Sequence, residues 1–339
     1  MKKHLIALAV LGLSGGLAQA QSSVTLFGVA DMAIERIKGS TSLVRLSSGQ
    51  QQGSRWGVRG AEDLGGGMKA VFQLEAGVNL DTGTSGQGGR AFGRQSFVGL
   101  TGGFGGVRLG RQYSPMDDIA AVVGTKSYDV LSVVPIIGNG DYNRVDNAIT
   151  YLSPTVGNTS FQVQYSLGEE RSSADASPDF GKQFSLHALH ASGPLTAGIG
   201  LMRVSDADGT APGKQGKDAV LLVGAYDFGM MKLSAYYDQE DKGDEKLKVM
   251  GLAAAFKVGD QTTVSVGVAQ AKDVTGAAAA LNDDARIFTL QASHNLSKRT
   301  ALYAHLTAVS NDDDAALGFN SPTAGSSSNG IQFGIRHRF

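Results

Sequence analysis

The chain has no cysteine, so disulfides and thiolate metal sites are excluded. Proline is scarce, at 7 residues in 339. After the N-terminal twenty residues, no run approaches the ~18 consecutive apolar residues that a membrane-spanning helix needs. Basic charge is not in excess either. With Lys2 and Lys3 set aside, 28 basic residues face 31 acidic ones, which excludes a strongly basic nucleic-acid binder. The six histidines are scattered, and their spacing suits neither a metal site nor a catalytic one. No nucleophile with a nearby base is legible, so neither enzymatic activity nor a cofactor is expected.

Glycine is abundant instead. The 47 glycines are roughly twice the ordinary share of ~7%, and they lack a Gly-X-Y period. At the N-terminus, Lys2 and Lys3 precede the apolar run Leu5–Leu13 and the small-residue signal Ala18-Gln19-Ala20. This pattern predicts a secretory signal peptide over 1–20, cut after Ala20, and a mature domain over 21–339.

The mature chain alternates apolar and polar residues repeatedly. Phe161, Val163, Tyr165 and Leu167 alternate with Ser160, Gln162, Gln164 and Ser166. Leu302, Ala304, Leu306 and Ala308 alternate with Tyr303, His305 and Thr307. In a strand, successive side chains point to opposite faces, so each such segment has one apolar and one polar face. Seven tight connections alternate with eight long ones, which predicts sixteen strands with both termini on one side. The long connections are expected near 37–53, 81–90, 114–145, 169–181, 205–217, 239–245, 273–284 and 310–328. In hydrocarbon every backbone N–H and C=O needs a partner, and without membrane helices a closed barrel is the consistent solution. The fold expected is all-β, a sixteen-stranded antiparallel transmembrane β-barrel. Segments 219–228 and 246–256 alternate poorly, for which packing against a neighbouring subunit is the expected reason.

Several stretches carry a family likeness. They are Gln21–Asp31 (QSSVTLFGVAD), Ser54–Glu75 (SRWGVRGAEDLGGGMKAVFQLE), Gly106–Pro115 (GVRLGRQYSP), Asn147–Pro154 (NAITYLSP), His294–Tyr303 (HNLSKRTALY) and Gly334–Phe339 (GIRHRF). Together they resemble the trimeric sixteen-stranded porins of β-proteobacterial type. The resemblance implies a homotrimer of water-filled pores in the outer membrane of a Gram-negative bacterium. It also implies that the third external loop folds into each barrel and narrows it. Segment 114–145 is the longest connection, and Val122, Val133, Val134, Ile136 and Ile137 suit packing against a wall.

Alternation also assigns side chains to the lumen. With Trp56 and Val58 outward, Arg55, Gly57 and Arg59 face inward. With Phe72, Leu74 and Ala76 outward, Lys69, Val71, Gln73 and Glu75 face inward. Phe97 outward places Arg94 and Ser96 inward, and Val107 and Leu109 outward place Arg108 inward. Arg144 falls in the lumenal register of its strand. In the anion-selective porins that the chain resembles, arginines at the positions of Arg55, Arg94 and Arg144 cluster at the constriction, with a glutamate at that of Glu75. Asp117 and Asp118, at the start of the inward loop, are expected to oppose them. Rings of Arg and Lys favour anions, and a guanidinium stays charged at any working pH. The outer faces of the first strands are expected to offer Gly28, Ala30, Gly57 and Trp56 to a neighbour.

Asp206–Gly209 suggests a solvated turn and Asp312–Asp314 a hydrated external loop rather than sites, and the triplet Asn158-Thr159-Ser160 matches a glycosylation signal at the chance rate. Phe339, closing the last alternating strand, is expected to act as an assembly signal read by the barrel-assembly machinery. The function expected is passive passage of ions and small hydrophilic solutes, with a preference for small anions. The alternative is a channel selective for phosphate or small organic acids. Lipid and lipopolysaccharide are the expected surroundings. An enzyme on a barrel and a plugged structural barrel are the more distant readings.

Overall fold

Every wall strand pairs antiparallel with its sequence neighbour, and the first pairs with the last, so the sheet has no free edge. The structure is a computed structural model that describes residues 23–123, 144–168, 181–205, 216–242, 245–275, 284–312, 315, 318 and 325–339. The expected signal peptide lies outside the described residues, as do Val133, Val134, Ile136, Ile137, Asp206–Gly209, Asp313 and Asp314.

Sixteen wall strands form the barrel. β1 spans Ser23–Lys38. β2 is one wall strand in two pieces, Ser42–Ser48 and Arg55–Gly65, because both pair with β1 on the same side. β3 is Met68–Asn79, β4 Gln95–Gly102, β5 Gly105–Tyr113 and β6 Arg144–Leu152. β7 is Thr159–Leu167, β8 Lys182–Ser192, β9 Leu195–Val204 and β10 Lys217–Asp227. β11 is Met231–Lys242, β12 Glu245–Val258 and β13 Thr262–Thr275. β14 is Ala285–Asn295, β15 Thr300–Asn311 and β16 Ser328–Arg338. A two-residue strand, Thr84–Ser85, returns onto the end of β3.

Two expected loops are shorter than the sequence implied. Within 37–53, Ser42–Ser48 pairs with Met32–Lys38, so the connection is the turn at 39–41. Arg45 and Ser47 donate to Oε1 of the buried Glu35, both at 2.6 Å, which gives this polar stretch a reason to stay in the wall. The rest of the expected loop is an insertion at 49–54, held by Asp31. The backbone N–H groups of Gln51 and Gln52 donate to Asp31 Oδ2, and Ser54 Oγ donates to the Asp31 carbonyl. Likewise 239–245 is nearly all strand, since β11 runs to Lys242 and β12 starts at Glu245.

Alternation sorts the two faces. Val24, Leu26, Val98, Leu100, Leu252 and Phe333 are exposed on the outer wall, where lipid would cover them. Near the short turns, Tyr226 and Phe228 stack at 4.6 Å, and Tyr151 donates to the Phe104 carbonyl. Such rings with polar handles suit the membrane–water boundary. Thr150, Gln164, Ser185, His305 and Gln332 are buried on the inner face.

The poorly alternating segments have an internal cause. On β10, Ala219, Leu221 and Val223 point inward and are buried against Met116 and Ile119. On β12, Val249 joins a second inner apolar cluster with Ile37, Ala271, Ile287 and Val309. Both faces of these strands are therefore apolar. Two positions offered to a neighbour also change role. Gly57 lies opposite Phe27 and Glu75 on the inner face. Gly28 is covered by the chain's own Phe339, whose ring would meet an added Cβ at 2.2 Å. The backbones of these two residues exchange both hydrogen bonds, at 3.0 and 3.1 Å.

A candidate constriction in the barrel

The site begins where β5 ends. Ser114 caps a short helix, Pro115–Ala120, by accepting from the backbone N–H of Asp117 at 3.1 Å. From there the chain runs along the inner wall. Gln164 on β7 donates to the Tyr113 carbonyl at 2.9 Å, and His187 on β8 donates to the Pro115 carbonyl at 2.9 Å. Met116 and Ile119 are fully buried against β9 and β10. On β9, a Cβ at Gly200 would meet Met116 Sδ at 2.6 Å and Ile119 Cδ1 at 2.8 Å, so only glycine leaves room for the helix. Val122 is partly buried there too, and its carbonyl accepts from Lys232 on β11. Residues 114–123 thus lie inside the barrel, as expected for the start of the inward loop. The remainder of the segment, 124–143, is outside the described residues.

Across the lumen stands a basic wall. Glu75 on β3 is buried, and each of its oxygens has two partners. Oε1 receives Arg94 Nε at 2.6 Å and lies 3.6 Å from Arg55 Nε. Oε2 receives the amides of Gln73 at 2.7 Å and Gln95 at 3.1 Å. Arg94 reaches onward, donating from Nη2 to the Tyr113 hydroxyl at 2.6 Å. Arg144 donates to the same hydroxyl at 3.1 Å and stacks over the ring at 4.7 Å. Arg55, Glu75, Arg94 and Arg144 therefore form one connected group, and Tyr113 joins them. Alternation gives no sign of this role for Tyr113; its place one residue before the capping Ser114 is the signal the sequence offers.

Other expected lumenal residues divide. Arg59, Gln73 and Arg108 face inward, and Lys69 occupies the same register at the exposed end of β3. Phe97 is a correction: it is buried on the inner face, pairing with Gln73, and Ser96 takes the outer register with Leu74. The physical reason is the guanidinium of Arg108, which lies 4.8 Å from the Phe97 ring centroid. Arg94 precedes β4, so its position follows from Glu75 and Tyr113 rather than from alternation. Of the two loop acids, Asp117 is buried and Asp118 is exposed, and the Asp118 charge acts on Arg108. A separate trio joins Arg90 and Arg111 to the two oxygens of Asp146, at 2.6 and 2.5 Å.

Comparison with known proteins identifies the family and the fold. A family model described as Gram-negative porin matches residues 7–314. Outer membrane porin protein 32 of Delftia acidovorans is 36% identical, with 100% of each chain covered. An outer membrane porin protein of Bordetella pertussis is 30% identical, again over 100% of each. Among solved structures, the anion-selective porin from Comamonas acidovorans superimposes with a TM-score of 0.79 at 31% identity, covering 94% of this chain and 100% of that one. A trimer form of OmpT from Vibrio cholerae has a TM-score of 0.68 at 17% identity over 94% of this chain and 99% of that one, a likeness of fold alone.

Proposed function

The chain belongs to the Gram-negative porin family, and from that premise we propose that its pore prefers anions and that Arg55, Arg94 and Arg144 set the preference. The protein is an outer-membrane porin, a passive channel for ions and small hydrophilic solutes. One observation carries the anion reading: a single buried carboxylate, Glu75, is shared by two arginines, and a third arginine is tied in through the neutral Tyr113. These four charged groups sum to a positive field facing the loop. In a narrow, partly desolvated passage such a field favours an anion and raises a barrier to a cation. Asp117 and Asp118 would moderate it from the loop side. The anion-selective relative from Comamonas acidovorans supports the same sign.

A planar-bilayer recording in a tenfold KCl gradient tests the reading. The zero-current potential should have the sign of chloride permeation, and a cation-selective wild type would overturn it. A conductance that saturates with phosphate or an organic acid would favour the substrate-selective alternative. Export by a signal peptide cut after Ala20, assembly as a homotrimer and recognition of Phe339 by the barrel-assembly machinery belong to the same proposal. So do contacts of the outer wall with lipopolysaccharide.

A further inference from the structure

At the constriction, Arg55 and Arg94 share the carboxylate of Glu75. Two others on the same wall stack on aromatic rings instead. Arg59 on β2 lies over Phe27 at 5.0 Å, and Arg108 on β5 lies over Phe97 at 4.8 Å. Among the described residues neither forms an ion pair, and Asp118 is the acid whose charge reaches Arg108 through space. Arg108 Nε is buried and makes no hydrogen bond among the described residues. Both arginines line one cavity of about 280 Å³, together with Thr25, Val71, Gln73 and Phe97. Gln73 lies between them in the pairing, opposite Arg59 on one side and Phe97 on the other. Its amide nitrogen is committed to Glu75.

Each guanidinium carbon lies over a phenyl ring, and a guanidinium carries its N–H donors along its edges. A planar oxyanion with two acceptors fits such edges. The cavity is also larger than a bare halide needs, since it equals roughly nine waters' share of liquid volume. Phe97 and Val71 give it an apolar side that a halide would not use. We propose that Arg59 and Arg108, with Phe97 between them, form a second anion station on the short-turn side of the constriction, built for a carboxylate attached to a flat apolar ring. The proposal rests on the anion-preferring reading of the pore and adds a ligand class to it. A ring carboxylate arriving there exchanges water for the guanidinium edges and lays its ring against Phe97. It would therefore dwell in the pore, where chloride passes.

The test uses the reconstituted full-length porin in planar bilayers at low salt, with sodium benzoate and sodium acetate as probes against a chloride current. Benzoate should reduce the chloride conductance saturably, and acetate at equal concentration should not. Arg108→Ser and Arg59→Ser should each raise the half-blocking benzoate concentration about tenfold, the loss of one charge-assisted contact. Phe97→Leu keeps the charge and should weaken benzoate without creating an acetate effect. The triple variant Arg55→Ser, Arg94→Ser, Arg144→Ser should lose ion preference yet retain benzoate block, which separates failure of the station from failure of the constriction. Equal block by acetate, block unchanged in the Arg59→Ser, Arg108→Ser double variant, or loss of block only in the constriction triple would each overturn the proposal.

Discussion

Arg94 donates from Nη2 to the Tyr113 hydroxyl at 2.6 Å, and through that oxygen it is held beside Arg144. Two like charges some ~4 Å apart cost about 4 kcal/mol at an effective dielectric of 20. A neutral hydroxyl between them, with Glu75 on the far side of Arg94, makes the arrangement tolerable. Arg94 is thus a fixed strut, with its side chain almost wholly buried, rather than a swinging gate.

Removing the strut changes both size and sign. Arg94→Ser should raise single-channel conductance and shift the zero-current potential toward cations. The triple serine variant of Arg55, Arg94 and Arg144 should move that potential further. Exposed charges are screened over ~8 Å at physiological salt, so both shifts should shrink as KCl concentration rises. An unchanged reversal potential in the triple variant would show that these residues do not control ion choice.

Tyr113→Phe keeps the ring under Arg144 and deletes the oxygen that two guanidinium groups share. The expected result is a modest fall in anion preference with greater open-channel noise, read from current variance at fixed voltage. Tyr113→Leu removes the stack as well and should have the larger effect. Identical noise in all three proteins would argue that the hydroxyl positions nothing.

Glu75→Gln leaves the buried Arg94 and the part-buried Arg55 without their shared carboxylate. Breaking a buried pair by removing one partner costs about 3–5 kcal/mol. The variant should therefore show a lowered thermal transition of the assembled protein, measured by heating before gel migration. Its anion preference should not rise in simple proportion to the charge removed, because Arg55 and Arg94 lose their position along with their partner.

The seat of the inward helix can be tested at Gly200. Gly200→Ala puts a methyl group where Met116 and Ile119 already lie. Overpacking of this kind costs about 1–3 kcal/mol, and the helix relieves it by moving toward the basic wall. Conductance should fall, and adding Met116→Ala should restore it. A Gly200→Ala channel of normal conductance would mean that the helix yields locally without narrowing the passage.

Deleting Phe339 should lower the assembled fraction sharply with little change in synthesis, measured as heat-modifiable protein in outer-membrane extracts. Gly28→Val leaves Phe339 in the sequence but denies its ring a place, so it should reproduce part of the loss.

Much of this was legible in the sequence because a strand writes its two faces into alternate residues. The strand count follows from the alternation of short and long connections, and the inward Arg55, Glu75 and Arg108 follow from that two-faced rule. It fails where an apolar side chain has work on the wet side. Phe97 reads as outward because it is a hydrophobe, yet it carries a guanidinium. Leu221 and Val223 break the pattern because the inward helix covers them. Tyr113 and the 49–54 insertion depend on contacts between distant segments, which no local period records.

The seam between the first and last strands has a kinetic consequence. Tyr303 on β15 donates to Asp31 on β1 at 2.5 Å, across β16 and over 272 residues of chain. By the logarithmic law for loop closure, bringing such distant partners together costs only about 5 kcal/mol. Once joined, β1 and β16 satisfy a whole ladder of backbone groups. In hydrocarbon each of those groups left unpaired costs several kcal/mol. Closure is therefore cheap to reach and very expensive to reverse. In the bilayer the ring behaves as a latch, and its durability is set by the rate of reopening rather than by an equilibrium between open and closed forms.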